Sequence, residues 1–305
     1  MQANLSTLGL YQNTIQNAIQ VQSQIATIQQ QVSSGTKAQD FEGLNGQVQL
    51  YVSLENQLAK AGQYSANNTV LQSRLNTTSQ TLGQVISTAN QALNLMLQAR
   101  NGSEANSLAF DQQMKSFFQT IAGQLNTQSG GAYLFSGTRT DQPPVDPTQY
   151  PTTVQLGVPD TGYYHGNSQN ITSAIADSTV ITTNVRADDP GIQKIMAAFA
   201  AAKVGFDNGD DQTLQQAYNL MQQGIAGVTQ TQASVDASSQ QVSHAQTISD
   251  TQVTYWKTLK DNTVSADLVS LSTQLSADQG VLQASFQVFA RINSLHLSNY
   301  LSTTG

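Results

Sequence analysis

The first 36 residues of this 305-residue chain contain no acidic or basic side chain, yet contain no proline either and keep a helical apolar period. Leu8, Tyr11, Ile15, Ala18, Gln22, Ile25, Gln29 and Val32 follow alternating spacings of three and four, with polar lapses at the two glutamines. The water-facing side of such a helix is normally Glu and Lys. Here it is Gln, Asn, Ser and Thr. An amide or hydroxyl needs only a hydrogen-bond partner when buried, whereas a charge must also be paired. A helix of this kind can be enclosed by other helices on several sides. The same trait recurs at the other end, where Asp278 and Arg291 are the only firm charges after Leu268.

The pattern predicts a first helix stopping near Ser33–Gly35, with Gly35 as its C-terminal stop. Residues 36–46 read as a loop. A long helix is expected from about Gln47 to Arg100, its seam including Leu54, Leu58, Ala61, Leu75, Leu82, Ile86, Ala89, Leu93 and Met96, and ended by Asn101-Gly102. A third, from about Ser103 to Gln128, puts Phe110, Met114, Phe117, Ile121 and Leu125 on one face. The character changes at Ser129-Gly130-Gly131. Five of the six prolines lie between there and Asp189, and Tyr133–Phe135, Thr153–Leu156 and Val180–Val185 read as strands.

Helices resume at Asp189-Pro190, an N-cap followed by proline at the first helical position. Ile192–Ala202 is one. Asp210 or Asp211 caps the next, expected to run to about Asn262 with Leu214, Tyr218, Met221, Ile225, Val228, Val235, Val242, Ile248 and Tyr255 on its seam. A last helix over about Ala266 to Leu297 carries Leu268, Leu271, Leu275, Leu282, Phe286, Phe289 and Ile292 as a stripe.

The fold class expected is therefore mainly α: long paired N- and C-terminal helices, coiled-coil-like, around an inner helical bundle with a small β-rich insertion. The nested domains are 1–33 plus 268–305, 34–138 plus 190–267, and 139–189. Both ends are expected to be partly disordered alone and to fold on assembly, because a Gln-rich helix with a narrow apolar stripe buries little against its ordering entropy.

The same residues speak against other functions. A net charge of −7 without a Lys/Arg-rich run does not suit nucleic acid. Cysteine is absent, so disulfides and thiolate metal sites are excluded. No apolar run approaches the roughly 20 residues that span a bilayer, so membrane insertion is not expected, and the N-terminus lacks the pattern of a cleavable signal peptide. His165, His244 and His296 lie far apart. Asp207 to Asp211 (DNGDD) lacks the spacing and distal Glu of a calcium loop and reads as a turn with a helix cap. Neither a cofactor nor a catalytic constellation is expected, and the chain reads as a non-enzyme.

Several stretches resemble the flagellin superfamily, and within it the hook–filament junction branch: Val32-Ser33-Ser34-Gly35 followed by Lys37, Gly131 to Asp141 (GAYLFSGTRTD) followed by Pro143-Pro144, Leu282 to Phe286 (LQASF), and Leu295 to Leu301 (LHLSNYL). The resemblance covers both ends and the inner helices and fades over 142–189. The 36–46 loop lacks the Asn- and Asp-rich string usual in filament flagellins. The resemblance implies a structural subunit of the bacterial flagellum, extracellular, exported by the type III route without a cleaved leader, and built into a tubular homo-oligomer. Its implied partners are a neighbouring hook-associated protein, filament flagellin and a cytoplasmic chaperone on the C-terminal region. A divergent filament flagellin, or an adhesin binding through the insertion, stay open as alternatives. The assembly interface expected comprises Leu8, Tyr11, Ile15, Ile25 and Val32 from one end, and Leu268, Leu271, Leu275, Leu282, Phe286, Phe289, Ile292, Leu295, Leu297, Tyr300 and Leu301 from the other.

Overall fold

The computed structural model describes residues 2–37, 46–100, 107–150 and 161–301, without the side chains of 2–8, 10, 107, 108 and 292–301. Six helices dominate among the described residues: α1 (Gln2–Ser34), α2 (Val48–Arg100), α3 (Ser107–Leu125), α4 (Pro190–Asp207), α5 (Asp211–Val264) and α6 (Leu268–Leu301). Among the described residues, four short strands lie between α3 and α4, namely β1 (Gln128–Ser129), β2 (Ala132–Tyr133), β3 (Thr172–Ala176) and β4 (Thr179–Thr182). They form two antiparallel hairpins, β1-β2 and β3-β4. The expected strand at Thr153–Leu156, the ending at Asn101-Gly102 and most of the 36–46 loop fall outside the described residues. By contact the chain divides into one unit of 1–59 with 254–305, and a second of 60–253.

Strict seven-residue spacing organises the two longest helices. On α2 it runs through Leu54, Ala61, Asn68, Leu75, Leu82, Ala89 and Met96, all buried. On α5 it runs through Leu214, Met221, Val228, Val235, Val242, Ser249 and Thr263, again all buried, with Trp256 half-buried between the last two. A repeat of seven matches the 3.5-residue period of a left-handed coiled seam. Sequence reasoning placed Ile248 and Tyr255 on this seam, but they are 44% and 57% exposed. The repeat continues through polar residues there, and an apolar pattern search drifts onto the neighbouring stripe.

Within the second unit α2 and α5 run antiparallel, joined by a ladder of small polar groups. Ser65 Oγ donates to Asp250 Oδ1 at 2.6 Å, Ser79 Oγ donates to Asp236 Oδ1 at 2.6 Å, and Gln232 Nε2 donates to Ser79 O at 3.1 Å. Hydrogen bonding to Ser65 and Gln246 holds the Asp250 carboxyl below the usual carboxylate range.

The core of this unit is mainly aliphatic, with an aromatic cluster inside it. Phe118 and Phe199 meet edge to face at 6.0 Å, Tyr150 packs against both, and Phe110 stacks on Phe206 at 4.0 Å. Phe118, one residue beyond the expected Phe117, is fully buried because it stands four residues from Met114 and three from Ile121. Tyr150 donates to Phe199 O at 3.2 Å, and burial raises its phenol well above the ordinary value.

The expected cap is present: Asp189 accepts from Gly191 N at 2.9 Å with Pro190 opening α4, which extends to Asp207. Asp210, not Asp211, caps α5, accepting from Gln212 N and Thr213 N. Between them α4 and α5 approach through glycine. A Cβ on Gly224 would stand 2.6 Å from Ile195 Cγ1 and 2.9 Å from Gly191 O, whereas one on Gly123 of α3 would meet nothing within 4 Å. Gly123→Ala is therefore expected to raise stability by about 0.5–1 kcal/mol, because alanine is the better helix former. Gly224→Ala is expected to lower it by about 1–3 kcal/mol, because backbone cannot give way as a side-chain end can. Paired urea titrations read both signs.

The insertion is held by its own short contacts. Gly130 and Gly131 both have positive φ, at 61° and 80°, the requirement of a tight two-residue hairpin turn between β1 and β2. Only Tyr133 of the expected 133–135 strand pairs; Leu134 and Phe135 turn into the core, and Ala187 N donates to Phe135 O at 2.8 Å. Likewise the expected 180–185 strand pairs only to Thr182. Its partner β3 was not anticipated. β3 docks on α2 through Asn67 Nδ2 to Ser173 Oγ and Asn68 Nδ2 to Ile175 O, with a Lys60–Asp177 ion pair of 2.7 Å beside it.

Candidate assembly surface

Within the first unit α1 and α6 lie against each other in antiparallel order, with the Tyr11 and Phe289 rings 5.1 Å apart. Among the described side chains of α1 two are buried, Ile25 at 8% and Ile28 at 5% exposure. Ile28 is absent from the expected seam, which ran through Gln29; that glutamine is exposed, and three-residue spacing from Ile25 carries the burial instead. Tyr11, Ile15, Val32, Leu271, Leu275, Leu282 and Phe289 are half-buried.

Other apolar side chains of the pair face outward. Phe286 is 57% exposed, Leu268 47% and Ile19 61%. Val269, Val281 and Val288 are exposed as well. Ile15, Ala18, Ile19, Phe286 and Phe289 line an open groove of about 230 Å³ along the helix pair. Leu8, Ile292, Leu295, Leu297, Tyr300 and Leu301 of the expected interface have side chains outside the described set.

Charge is nearly missing from this face. Asp278 is the exception among the described α6 side chains before Arg291, and its Oδ2 is shielded without a hydrogen-bond partner. Such a surface is poor in ionisable groups among the described residues. It offers apolar area and neutral hydrogen-bonding groups, the combination that another helix can cover without stripping water from ions. Among the described residues no three His, Asp or Glu side chains are grouped to hold a metal ion, and no helix is long and apolar enough to cross a membrane.

The inner end of the pair is tied down. Gly35, at φ 69°, ends α1 with its N–H on Gln31 O at 2.8 Å. Beyond it Thr36 forms an antiparallel bridge with Ser265, in the break between α5 and α6.

Residues 5–140 match the family described as the bacterial flagellin N-terminal helical region. No curated protein matches the chain as a whole sequence. Solved structures share the fold. A Vibrio parahaemolyticus structure described as a flagellar hook-associated protein is 17% identical, with 70% of this chain and 96% of that one aligned at a TM-score of 0.55. Bacillus cereus FlgL is 17% identical, with 68% and 96% aligned at 0.53. Flagellar hook associated protein-3 from Legionella pneumophila is 11% identical, with 70% and 99% aligned at 0.52.

Proposed function

We propose that this chain, which matches the flagellin N-terminal helical region over residues 5–140, is a structural subunit of the bacterial flagellum that joins the hook to the filament. The observation that carries the reading is the outward-facing apolar stripe of α1 and α6, with Ile19 and Phe286 more than half exposed and few charges beside them. Exposed apolar area on this scale marks a surface that another protein covers. The fold shared with hook-associated proteins supports the choice of partner.

In this reading residues 1–33 and 268–305 line the inside of a tube. Residues 34–138 with 190–267 form the next layer, and 139–189 face outward. The subunit leaves through the flagellar export channel, after a cytoplasmic chaperone has shielded the C-terminal stripe. On reaching the growing end, its chain ends order against neighbouring copies, against the hook-associated protein below and filament flagellin above. The work is mechanical: transmission of torque through packed helices between two different lattices.

The test is a bacterial strain from which this chain has been deleted, inspected by electron microscopy. The expected result is hooks without filaments, with filament subunits still released into the medium. Filaments of normal length on normal hooks overturn the proposal. Loss of filaments without any released subunit would make the chain the filament subunit itself.

A further inference from the structure

We infer that the bridge between residues 35–37 and 264–266 is a register staple: it selects one alignment of α1 on α6 that the helix faces do not select by themselves. The ambiguity is visible in α6, where Leu268, Leu275, Leu282 and Phe289 repeat at strict seven-residue spacing. Sliding α6 by one repeat would place Leu282 where Phe289 now meets Tyr11, one apolar side chain for another. Oppositely charged flanking residues normally settle the register of paired helices. α1 has none, since no acidic or basic side chain precedes Lys37.

The staple supplies what the faces lack. Lys37 N donates to Val264 O at 2.7 Å and Ala266 N donates to Gly35 O at 3.0 Å, the two bonds that flank the Thr36–Ser265 bridge. Lys37 Nζ donates to Thr263 O at 3.1 Å, placing the first charge of the chain on a last-turn carbonyl of α5, where the helix dipole favours a cation. Gln31 Nε2 reaches over the turn to Lys37 O at 2.6 Å. On the far side Asp267 accepts from Val269 N and Ser270 N, so α6 starts at a fixed residue. With α1 ended at Gly35 and α6 begun at Asp267, the bridge fixes where both helices begin counting. The alignment decides which side chains of the two helices meet, Tyr11 and Phe289 among them. The device belongs to the single chain and stands apart from the flagellar reading.

The chain lacks cysteine, so engineered pairs report the register cleanly. Dilute full-length protein carrying Tyr11→Cys with Phe289→Cys is compared with Tyr11→Cys with Leu282→Cys, using a short thiol-reactive cross-linker. With the staple intact, the 11–289 product exceeds the 11–282 product by about tenfold or more, the bias that two backbone hydrogen bonds and one to an ammonium supply. Lys37→Pro with Ala266→Pro removes both backbone donors, and the two products become comparable, within about threefold. Lys37→Pro alone lies between, and serves where the double variant does not fold. An undiminished preference for 11–289 in either proline variant overturns the staple, as does the absence of a preference in the parent chain.

Discussion

Replacing Phe199 with alanine lowers the stability of the folded chain by about 3–5 kcal/mol, the range for deleting a large aromatic from a closed core. Phe199 has no exposed surface, and its ring is enclosed by Phe118 at 6.0 Å and Tyr150 at 6.4 Å, both edge to face. Two terms add. The lost ring forfeits its transfer free energy, and the void stays open because the neighbours on α3 and α4 cannot close in. The collapse is blocked in particular on the α4 side, where Gly191 already sits backbone to backbone on Gly227 and Val228 of α5. Tyr150→Phe is the companion. It keeps the ring and removes one hydrogen bond to Phe199 O, so its cost is about 0.5–1.5 kcal/mol. Urea unfolding followed by circular dichroism reads both. A Phe199→Ala loss no larger than that of Tyr150→Phe would mean that the aromatic group does not hold the insertion to the helices.

What the sequence reveals about this molecule depends on how far apart the interacting residues are. Asp189-Pro190 and Gly35 are readable because a cap is settled within three or four residues. The α2 seam is readable from Leu54 to Met96 because nearly every seventh residue is apolar. The α5 seam is lost beyond Ala245 because Ser249 and Thr263 keep the geometry with side chains that carry no hydrophobic signal. β3 is illegible for another reason. Its sequence TSAIA is short and lacks an apolar alternation, and what holds it is Asn67 and Asn68, more than 100 residues earlier on α2. The Thr36–Ser265 bridge is hidden in the same way, its two halves lying in unremarkable Ser/Thr breaks. The candidate surface is legible in composition but not in extent. The absence of charge marks α1 and α6, yet Ile28 inside and Phe286 outside follow from which face each helix turns to the other, which neither helix encodes alone.

Ile19→Asp combined with Phe286→Asp leaves the isolated chain folded and removes it from the assembled structure. Neither side chain is buried by its own chain: Ile19 is 61% exposed and Phe286 57%, and both border the same open groove. A carboxylate at either position keeps its water in the monomer, so thermal unfolding of the purified double variant is expected within about 0.5 kcal/mol of the parent. Covering that groove with a neighbouring helix changes the balance. The local face holds no basic residue among Thr14, Ile15, Ala18, Ile19, Gln22, Ser285, Phe286 and Phe289, so each buried carboxylate would stand unpaired. An uncompensated charge in a closed interface costs about 3–5 kcal/mol, which weakens each subunit contact by more than about 100-fold. The measurement is the amount of variant recovered in purified flagella from a strain whose own copy has been deleted, alongside the melting curve of the soluble protein. Full incorporation with an unchanged melt would mean that the stripe stays wet in the assembled state, and the inner-wall reading of α1 and α6 would fall with it. Reduced incorporation with a collapsed melt would instead assign the two residues to the fold of the single chain.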